Sequence, residues 1–134
     1  MQEKAKIQHI PIKMYRTADR LMIAAPMPGP QPEDITVVVS ENQHLVIQGD
    51  LRGMLKDIKE LLVDEWSVGG YYREIELPSP VDGVNANVSY GNGVLVLAFP
   101  LSAQTQPATL KLQKTGTDRG EHVGTAGHPS QKHG

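Results

Sequence analysis

Short stretches in which apolar and polar residues alternate run through most of the chain, and they predict β-strands. In the clearest of them, residues 35–39, the aliphatic side chains of one face alternate with Thr36 and Val38 on the other, as in a half-buried strand. Similar stretches bounded by Gly, Pro or Asn are 10–15, 21–25, 45–48, 71–77, 84–90 and 94–99. Seven short strands without a long helix predict an all-β fold, an antiparallel immunoglobulin-like β-sandwich.

The stretch 84–90 and the residues after it predict a hairpin. Its apolar residues alternate with Asn85, Asn87 and Ser89, so one face of the strand is predicted to be buried and the other wet. Asn92 and Gly93 tolerate the positive φ of a tight turn, which leads into the strand that follows.

The stretch from Met54 to Trp66 departs from the strand pattern. Leu55, Ile58 and Leu62 have helical spacing. Residues 61–66 could equally form a strand, because periodicity does not distinguish the two over so short a run. We expect a helical turn that leads into a short strand.

The C-terminal stretch of the chain differs from the rest. From Gly116 to Gly134, Val123 is the only aliphatic residue larger than alanine. Such a segment buries too little apolar surface to offset the entropy of ordering it, so we predict a disordered tail there. The sequence thus predicts a short N-terminal arm over 1–9, a β-sandwich domain over 10–101 and a C-terminal extension over 102–134.

Composition limits the partners that the chain can have. Its 134 residues include 13 basic and 15 acidic side chains, a formal net charge of −2, which argues against a nucleic-acid-binding protein. Cysteine is absent, which excludes disulfides and thiolate chemistry. No apolar run approaches the ~18 residues of a membrane span, and residues 1–6 lack the apolar core of a signal peptide. We therefore expect a cytoplasmic protein that binds neither nucleic acid nor membranes.

The sequence gives little support to an enzyme. His122, His128 and His133 form a loose series in the predicted tail, with weak binding of a divalent cation as an alternative. His9 and His44 lie far apart in sequence, without metal-ligand spacing. The adjacent carboxylates of Glu33 and Asp34 face opposite sides of an extended chain. Nucleophile motifs and phosphate-binding glycine loops are absent. We expect no catalytic residue, no cofactor and no metal site.

Four segments that follow one another in order are more specific than a general strand pattern. They are Ala25–Ile35, Leu45–Arg52, Tyr72–Pro78 and Ala86–Pro100. The first contains an Ala-x-x-Pro-Gly sequence and the second a Leu-x-Ile-x-Gly strand. The last contains an Asn-Gly turn, a Gly-Val-Leu sequence and a closing Pro. Together they resemble the α-crystallin domain of small heat shock proteins, over about residues 10 to 101.

A further match lies in the C-terminal extension. Thr109-Leu110-Lys111-Leu112 is similar to the Ile-x-Ile motif of this family, which docks on another subunit. Leu110 and Leu112 are the last large aliphatic pair before the polar tail, and an extended segment with such spacing suits docking along a sheet edge. The resemblance implies that they dock between subunits, and that replacing both by alanine shrinks the oligomer.

The resemblance also implies a dimer interface. Arg73 matches a family position at which an interface arginine pairs with carboxylates of the partner subunit. In bacterial and plant relatives, the loop before it carries a strand that crosses to the partner. The apolar residues of our candidate for that strand are Leu61, Leu62, Val63 and Trp66.

A member of this family would be an ATP-independent holdase chaperone that binds partly unfolded client proteins and prevents their aggregation under heat or other stress. It would form a homodimer and a higher homo-oligomer. Two alternatives stay open. One is a β-sandwich adaptor or co-chaperone that binds one defined protein, which the short arm over 1–9 favours and the Leu-x-Leu motif disfavours. The other is a hydrolase or metal-binding enzyme on the same sandwich.

Overall fold

The alternating stretches form the strands of two β-sheets. The computed structural model of the chain describes residues 6–50, 60, 62–63 and 69–125, and these residues contain eleven strands and one short 3-10 helix, Pro32–Asp34. The strands are β1 (Lys6–His9), β2 (Lys13–Arg16), β3 (Arg20–Pro26), β4 (Ile35–Val39), β5 (His44–Asp50), β6 (Gly69–Glu76), β7 (Asn87–Gly91), β8 (Val94–Pro100), β9 (Ala108–Lys111), β10 (Gln113–Gly116) and β11 (Arg119–His122).

The two sheets pack as a β-sandwich. The five-stranded sheet has the order β1-β6-β5-β4-β9, and the six-stranded sheet has the order β10-β11-β7-β8-β3-β2. Every named pair is antiparallel except β1 with β6, which is parallel. The predicted fold class, an antiparallel β-sandwich, is confirmed.

The core lies between the sheets and is built by alternate residues of facing strands. Val37 and Ile47, which are opposite each other in β4 and β5, are both fully buried, as is Phe99 from β8. The neighbouring positions Thr36 and Val38 are only half-buried. The two-residue period therefore separates the core face from the outer face, as the sequence predicts.

The hairpin at Asn92 and Gly93 is confirmed, but the strand before it is shorter than predicted. Both turn residues have positive φ, 53° and 77°. The strand begins only at Asn87 because the Asp82 carboxylate accepts hydrogen bonds from the backbone N–H groups of Val84 (3.1 Å) and Asn85 (3.3 Å). Such a side-chain bond holds the chain in a turn.

The prediction of a wet face on this strand is wrong at Asn87. Its side chain is 1% exposed, and its Oδ1 accepts a hydrogen bond from the backbone N–H of Gly124. A later segment of the chain therefore covers this position, which the local alternation does not reveal.

The first predicted strand, 10–15, is divided in two. Pro11 has no backbone N–H to offer a sheet, and neither it nor Ile10 belongs to a strand, although Ile10 is fully buried. Residues 6–9, which the sequence assigns to an arm, form β1 beside β6.

The predicted disorder begins at Gly116, but the structure shows an ordered chain from there to Thr125. Residues 113–122 form the β10–β11 hairpin, and β11 pairs with β7. The hairpin is held mainly by backbone hydrogen bonds, which need no apolar side chains. Residues 126–134 and nearly all of the stretch 54–66 lie outside the described residues, so the helical turn predicted there stays a prediction.

Tyr90 ties β7 to the loop after β3. It is 4% exposed, and its hydroxyl lies within hydrogen-bond distance of the carbonyl oxygens of Met27 (2.7 Å) and Pro30 (3.1 Å). Burial, and then the nearby Tyr71 and Asp118, raise the pKa of Tyr90 from its ordinary value of 10.0 to about 12.

We expect the free energy of unfolding to fall between pH 10 and pH 12 because of Tyr90. The folded state holds the phenolic proton more tightly than the unfolded state, so the contribution is fully present below pH 10.0 and is lost as the pH rises through about 12. Tyr90 borders a surface pocket, and solvent there weakens the effect of the pKa shift on stability. We therefore expect the free energy of unfolding to fall by about 1–2 kcal/mol. Urea denaturation across this range measures it. The Tyr90→Phe protein should lack this part of the pH dependence, and parallel curves for the two proteins would contradict the assignment.

Candidate functional site

Of the predicted docking residues, Leu110 lies in β9, which pairs with β4 of its own chain, and Leu112 directly follows that strand. Strand β9 pairs antiparallel with β4, with Leu110 opposite Val37 and Thr109 opposite Val38. The exposed fractions of the two leucine residues are only 2% and 7%, and both belong to the core cluster. The edge of β4, residues 35–39, is therefore a surface that accepts an extended segment with apolar side chains at alternate positions.

The linker between β8 and β9 is bonded along its course. The Gln106 backbone N–H donates to the carbonyl oxygen of Val81 (2.9 Å), and the Gly83 N–H donates to the carbonyl oxygen of Gln106 (2.9 Å). A Cβ atom at Gly83 would lie 2.6 Å from that Gln106 oxygen, so only glycine permits this close approach. The linker thus delivers the two leucines to β4 along a defined path.

The β10–β11 hairpin, which follows the leucines, extends the six-stranded sheet beyond β7. Gly120, Glu121 and His122 pair with Tyr90, Ser89 and Val88 of β7. Residues 108–122 therefore cover β4 in one sheet and β7 in the other. This arrangement was not predicted from the sequence. Gly116-Thr117-Asp118 is a turn signal that could have indicated it, and Asp118 has a positive φ of 57° at the turn.

Arg73 is placed on β6, where it faces the interior side of the sheet with the partly buried Tyr71 and Ile75. Its Nη1 donates a hydrogen bond of 2.8 Å to the carbonyl oxygen of Ile10. Within one chain, Arg73 therefore connects β6 to the segment between β1 and β2. Its predicted pairing with a partner subunit stays a prediction.

The predicted crossing segment is described only at Leu62 and Val63. Their exposed fractions are 80% and 70%, whereas Leu61 and Trp66 lie outside the described residues. Both side chains are thus accessible to another chain, and the contact of this segment with a partner subunit stays a prediction. Strand β2, which ends the six-stranded sheet, carries a further exposed apolar side chain, Tyr15, at 51%.

One polar cluster lies on the outer face of β5 and β6. The Tyr72 hydroxyl donates to Glu74 Oε1 (3.0 Å), and His44 Nδ1 lies 3.3 Å from Glu74 Oε2. The hydrogen bond with His44, and then that with Tyr72, hold the pKa of Glu74 below its ordinary value. The same hydrogen bond to Glu74 raises the pKa of Tyr72. The cluster is exposed, and its two hydrogen bonds stabilise the negative charge of Glu74.

Two further observations concern the described part of the chain. There, no three His, Asp or Glu side chains come together as ligands of a metal ion would. Within those same residues, none of the helical structure has the length and apolar character needed to cross a bilayer.

Comparison with known proteins adds to this geometry. The sequence matches the model of the Hsp20/alpha crystallin family over residues 13–113. It is 29% identical over 111 residues to the spore protein SP21 of Stigmatella aurantiaca, covering 83% of this chain and 66% of that protein. It is 30% identical over 121 residues to the 23.2 kDa heat shock protein of Oryza sativa subsp. japonica, covering 83% of this chain and 56% of that protein. The chain thus spans less than two thirds of the length of these two relatives.

Solved structures share the same sandwich. Heat shock protein 16.0 from Schizosaccharomyces pombe superposes with a TM-score of 0.61 at 20% identity, over 74% of this chain and 71% of that one. A small heat-shock protein from Xylella fastidiosa superposes with a TM-score of 0.60 at 24% identity, over 78% of this chain and 96% of that one. These likenesses show the fold, and the family match covers the strands from β2 to the start of β10. The chain belongs to the Hsp20/alpha crystallin family, that of the small heat shock proteins.

Proposed function

We propose that this protein is an ATP-independent holdase chaperone, which binds partly unfolded proteins and prevents their aggregation under heat or other stress. The observation that carries the proposal is the pairing of β9 with the edge of β4, with Leu110 buried in that strand and Leu112 buried directly after it. An edge that accepts an extended strand with alternate apolar side chains offers both backbone hydrogen bonds and apolar contacts. Partly unfolded proteins expose segments of that kind.

The proposed mechanism is passive. Heating loosens the contacts that cover the apolar edge, and a client segment takes their place, which keeps that segment from pairing with other unfolded chains. No residue acts as a catalyst, and no cofactor or nucleotide takes part. The place of action that we propose is the cytoplasm.

The proposed assembly is a homodimer that can grow into a higher homo-oligomer. Leu61, Leu62, Val63 and Trp66 would form the dimer contact, with Arg73 pairing with carboxylates of the partner. Leu110 and Leu112 would link dimers when their strand docks on β4 of another subunit instead of its own. The exposure of Leu62 and Val63 supports the first contact.

A second candidate is an adaptor that binds one defined protein partner. One observation favours it: the Leu110/Leu112 strand is seated within its own chain, which leaves no docking segment free for an oligomer. An adaptor should sediment as a monomer at all concentrations, whereas the chaperone should sediment as a dimer or larger. Analytical ultracentrifugation therefore distinguishes the two.

The proposed activity is tested by light scattering of a heat-labile enzyme, heated with and without this protein in ATP-free buffer. We expect the scattering to be suppressed near equimolar subunits, because each sandwich offers one β4 edge. Circular dichroism of the protein alone at the same temperature is the control for its own unfolding. Undiminished scattering while the protein remains folded would contradict the proposal and favour the adaptor.

A further inference from the structure

We propose that the outer face of the six-stranded sheet is an interface at which two copies of this chain pack sheet against sheet, related by a two-fold axis through Val96 of β8. This face lies apart from the β4 edge and from the predicted crossing segment. Its pairing does not depend on the proposed holdase activity and is tested without clients.

One row of paired residues crosses five strands of this sheet. In register, from β2 through β3, β8 and β7 to β11, are Lys13, Ala24, Val96, Ser89 and Glu121. The row lies on the outer face, because Leu95 and Leu97, which flank Val96 along β8, are buried in the core and successive side chains of a strand point to opposite faces. Its three middle positions are uncharged, half-buried and no larger than valine, so they leave a surface that a second sheet can approach.

The two ends of the row carry opposite charges. Lys13 is exposed and Glu121 is half-buried, and among the described residues neither forms an ion pair. They are four strand spacings apart, about 19 Å, which is too far for them to pair with each other. Val96 lies midway between them, two strands from each.

This arrangement of charge is complementary to itself. A second copy, turned about a two-fold axis that runs parallel to the strands through Val96, places its Glu121 opposite Lys13 and its Lys13 opposite Glu121. Each contact is then made twice, as in any two-fold interface. An axis across the strands would instead place Lys13 opposite Lys13, which like-charge repulsion disfavours.

The neighbouring row is complementary about the same axis through its apolar ends. In register, from β2 to β7, are Tyr15, Met22, Ala98 and Asn87. Tyr15, at one end, is 51% exposed. Val123, at the other end, is 59% exposed, and the residue after it, Gly124, donates a hydrogen bond to the Asn87 side chain. The axis brings Tyr15 of each copy towards Val123 of the other, so both exposed apolar side chains are covered.

The interface has an uncharged centre and a charged rim, which is the usual anatomy of a protein–protein contact. It is also small, because the middle of the second row, Met22 and Ala98, is already buried in the isolated chain. Small interfaces belong to the weak, transient class. We therefore expect this pairing only at protein concentrations above those at which the proposed dimer contact and the docking of the leucine strand operate.

Charge reversal tests the pairing. In the Lys13→Glu protein and in the Glu121→Lys protein, both ends of the row carry the same charge, so self-association should weaken by about tenfold or more. In an equimolar mixture of the two variants, one copy has only acidic ends and the other only basic ends, so both contacts are attractive again. We expect the mixture to associate about as tightly as the unmodified protein.

Sedimentation velocity over a concentration series measures these constants at low ionic strength. The series is run in the full-length protein and again with Leu62→Ser/Val63→Ser added, which separates the pairing from the proposed dimer contact. The matched control is Arg16→Glu, because Arg16 is exposed on the same strand but lies outside both rows. It makes the same change of charge and should leave the association unchanged.

Failure of the mixture to recover would overturn the proposal, as would an Arg16→Glu effect equal to that of Lys13→Glu. Absence of any association that responds to these reversals would overturn it as well. Since clients take no part, the pairing can stand where the holdase fails, and the holdase can stand where the pairing fails.

Discussion

Replacing Leu110 and Leu112 together by alanine is expected to release the C-terminal strand from β4 while the rest of the sandwich stays folded. Each buried leucine that becomes alanine costs about 2–5 kcal/mol. The strand lies at the edge of its sheet, where opening requires less free energy than global unfolding. The cost should therefore appear as local opening, with cleavage by trypsin after Lys111, Lys114 and Arg119 accelerated by about 100-fold or more.

The matched control is Thr109→Ala, because Thr109 lies on the same strand with its side chain exposed. It should leave the cleavage rate close to that of the unmodified protein. Any particles larger than the dimer should also disappear in the double variant, since its strand can dock neither on its own subunit nor on another. Equal cleavage rates for the double variant and the control, with particles of unchanged size, would refute the role of the leucines.

Replacing Leu62 and Val63 together by serine is expected to weaken the dimer strongly. Full burial of each side chain contributes roughly 1.5–3 kcal/mol, so loss of both should raise the dimer dissociation constant by about 100-fold or more. Sedimentation velocity over a dilution series measures this constant. Because the two side chains are exposed in the isolated chain, urea denaturation of the monomer should be little affected.

Val84→Ser is the control for this pair, because Val84 is also an exposed aliphatic residue, at 58%, but belongs to the turn before β7. It should not change the dissociation constant. An unchanged constant in the Leu62→Ser/Val63→Ser protein would remove this segment from the dimer interface.

The local alternation of apolar and polar residues was sufficient to predict most strands of the sandwich. The alternation in residues 35–39 and the Asn92-Gly93 turn depend only on neighbouring residues, and the structure places both as predicted. The boundary errors have local causes too: the missing N–H of Pro11 interrupts the first strand, and the Asp82 carboxylate delays the start of β7.

The features that could not be predicted depend on residues far apart in the chain. Asn87 is buried because Gly124 reaches it, and Gly120 is needed because Pro32 lies beneath it. The spacing of the two leucines predicts that they bind a strand edge with apolar side chains at alternate positions. They do not indicate which subunit supplies that edge, because the contacts are identical within one chain and between two.

The central claim, passive capture of partly unfolded chains, is tested most directly by a binding measurement that needs no heating. A client protein held unfolded at room temperature by reduction of its disulfides is titrated with this protein in ATP-free buffer, and fluorescence anisotropy follows the labelled client. The oxidised, folded form of the same client is titrated in parallel. We predict saturable binding of the unfolded form and no binding of the folded form. Binding of neither form, or of both with equal affinity, would contradict the claim.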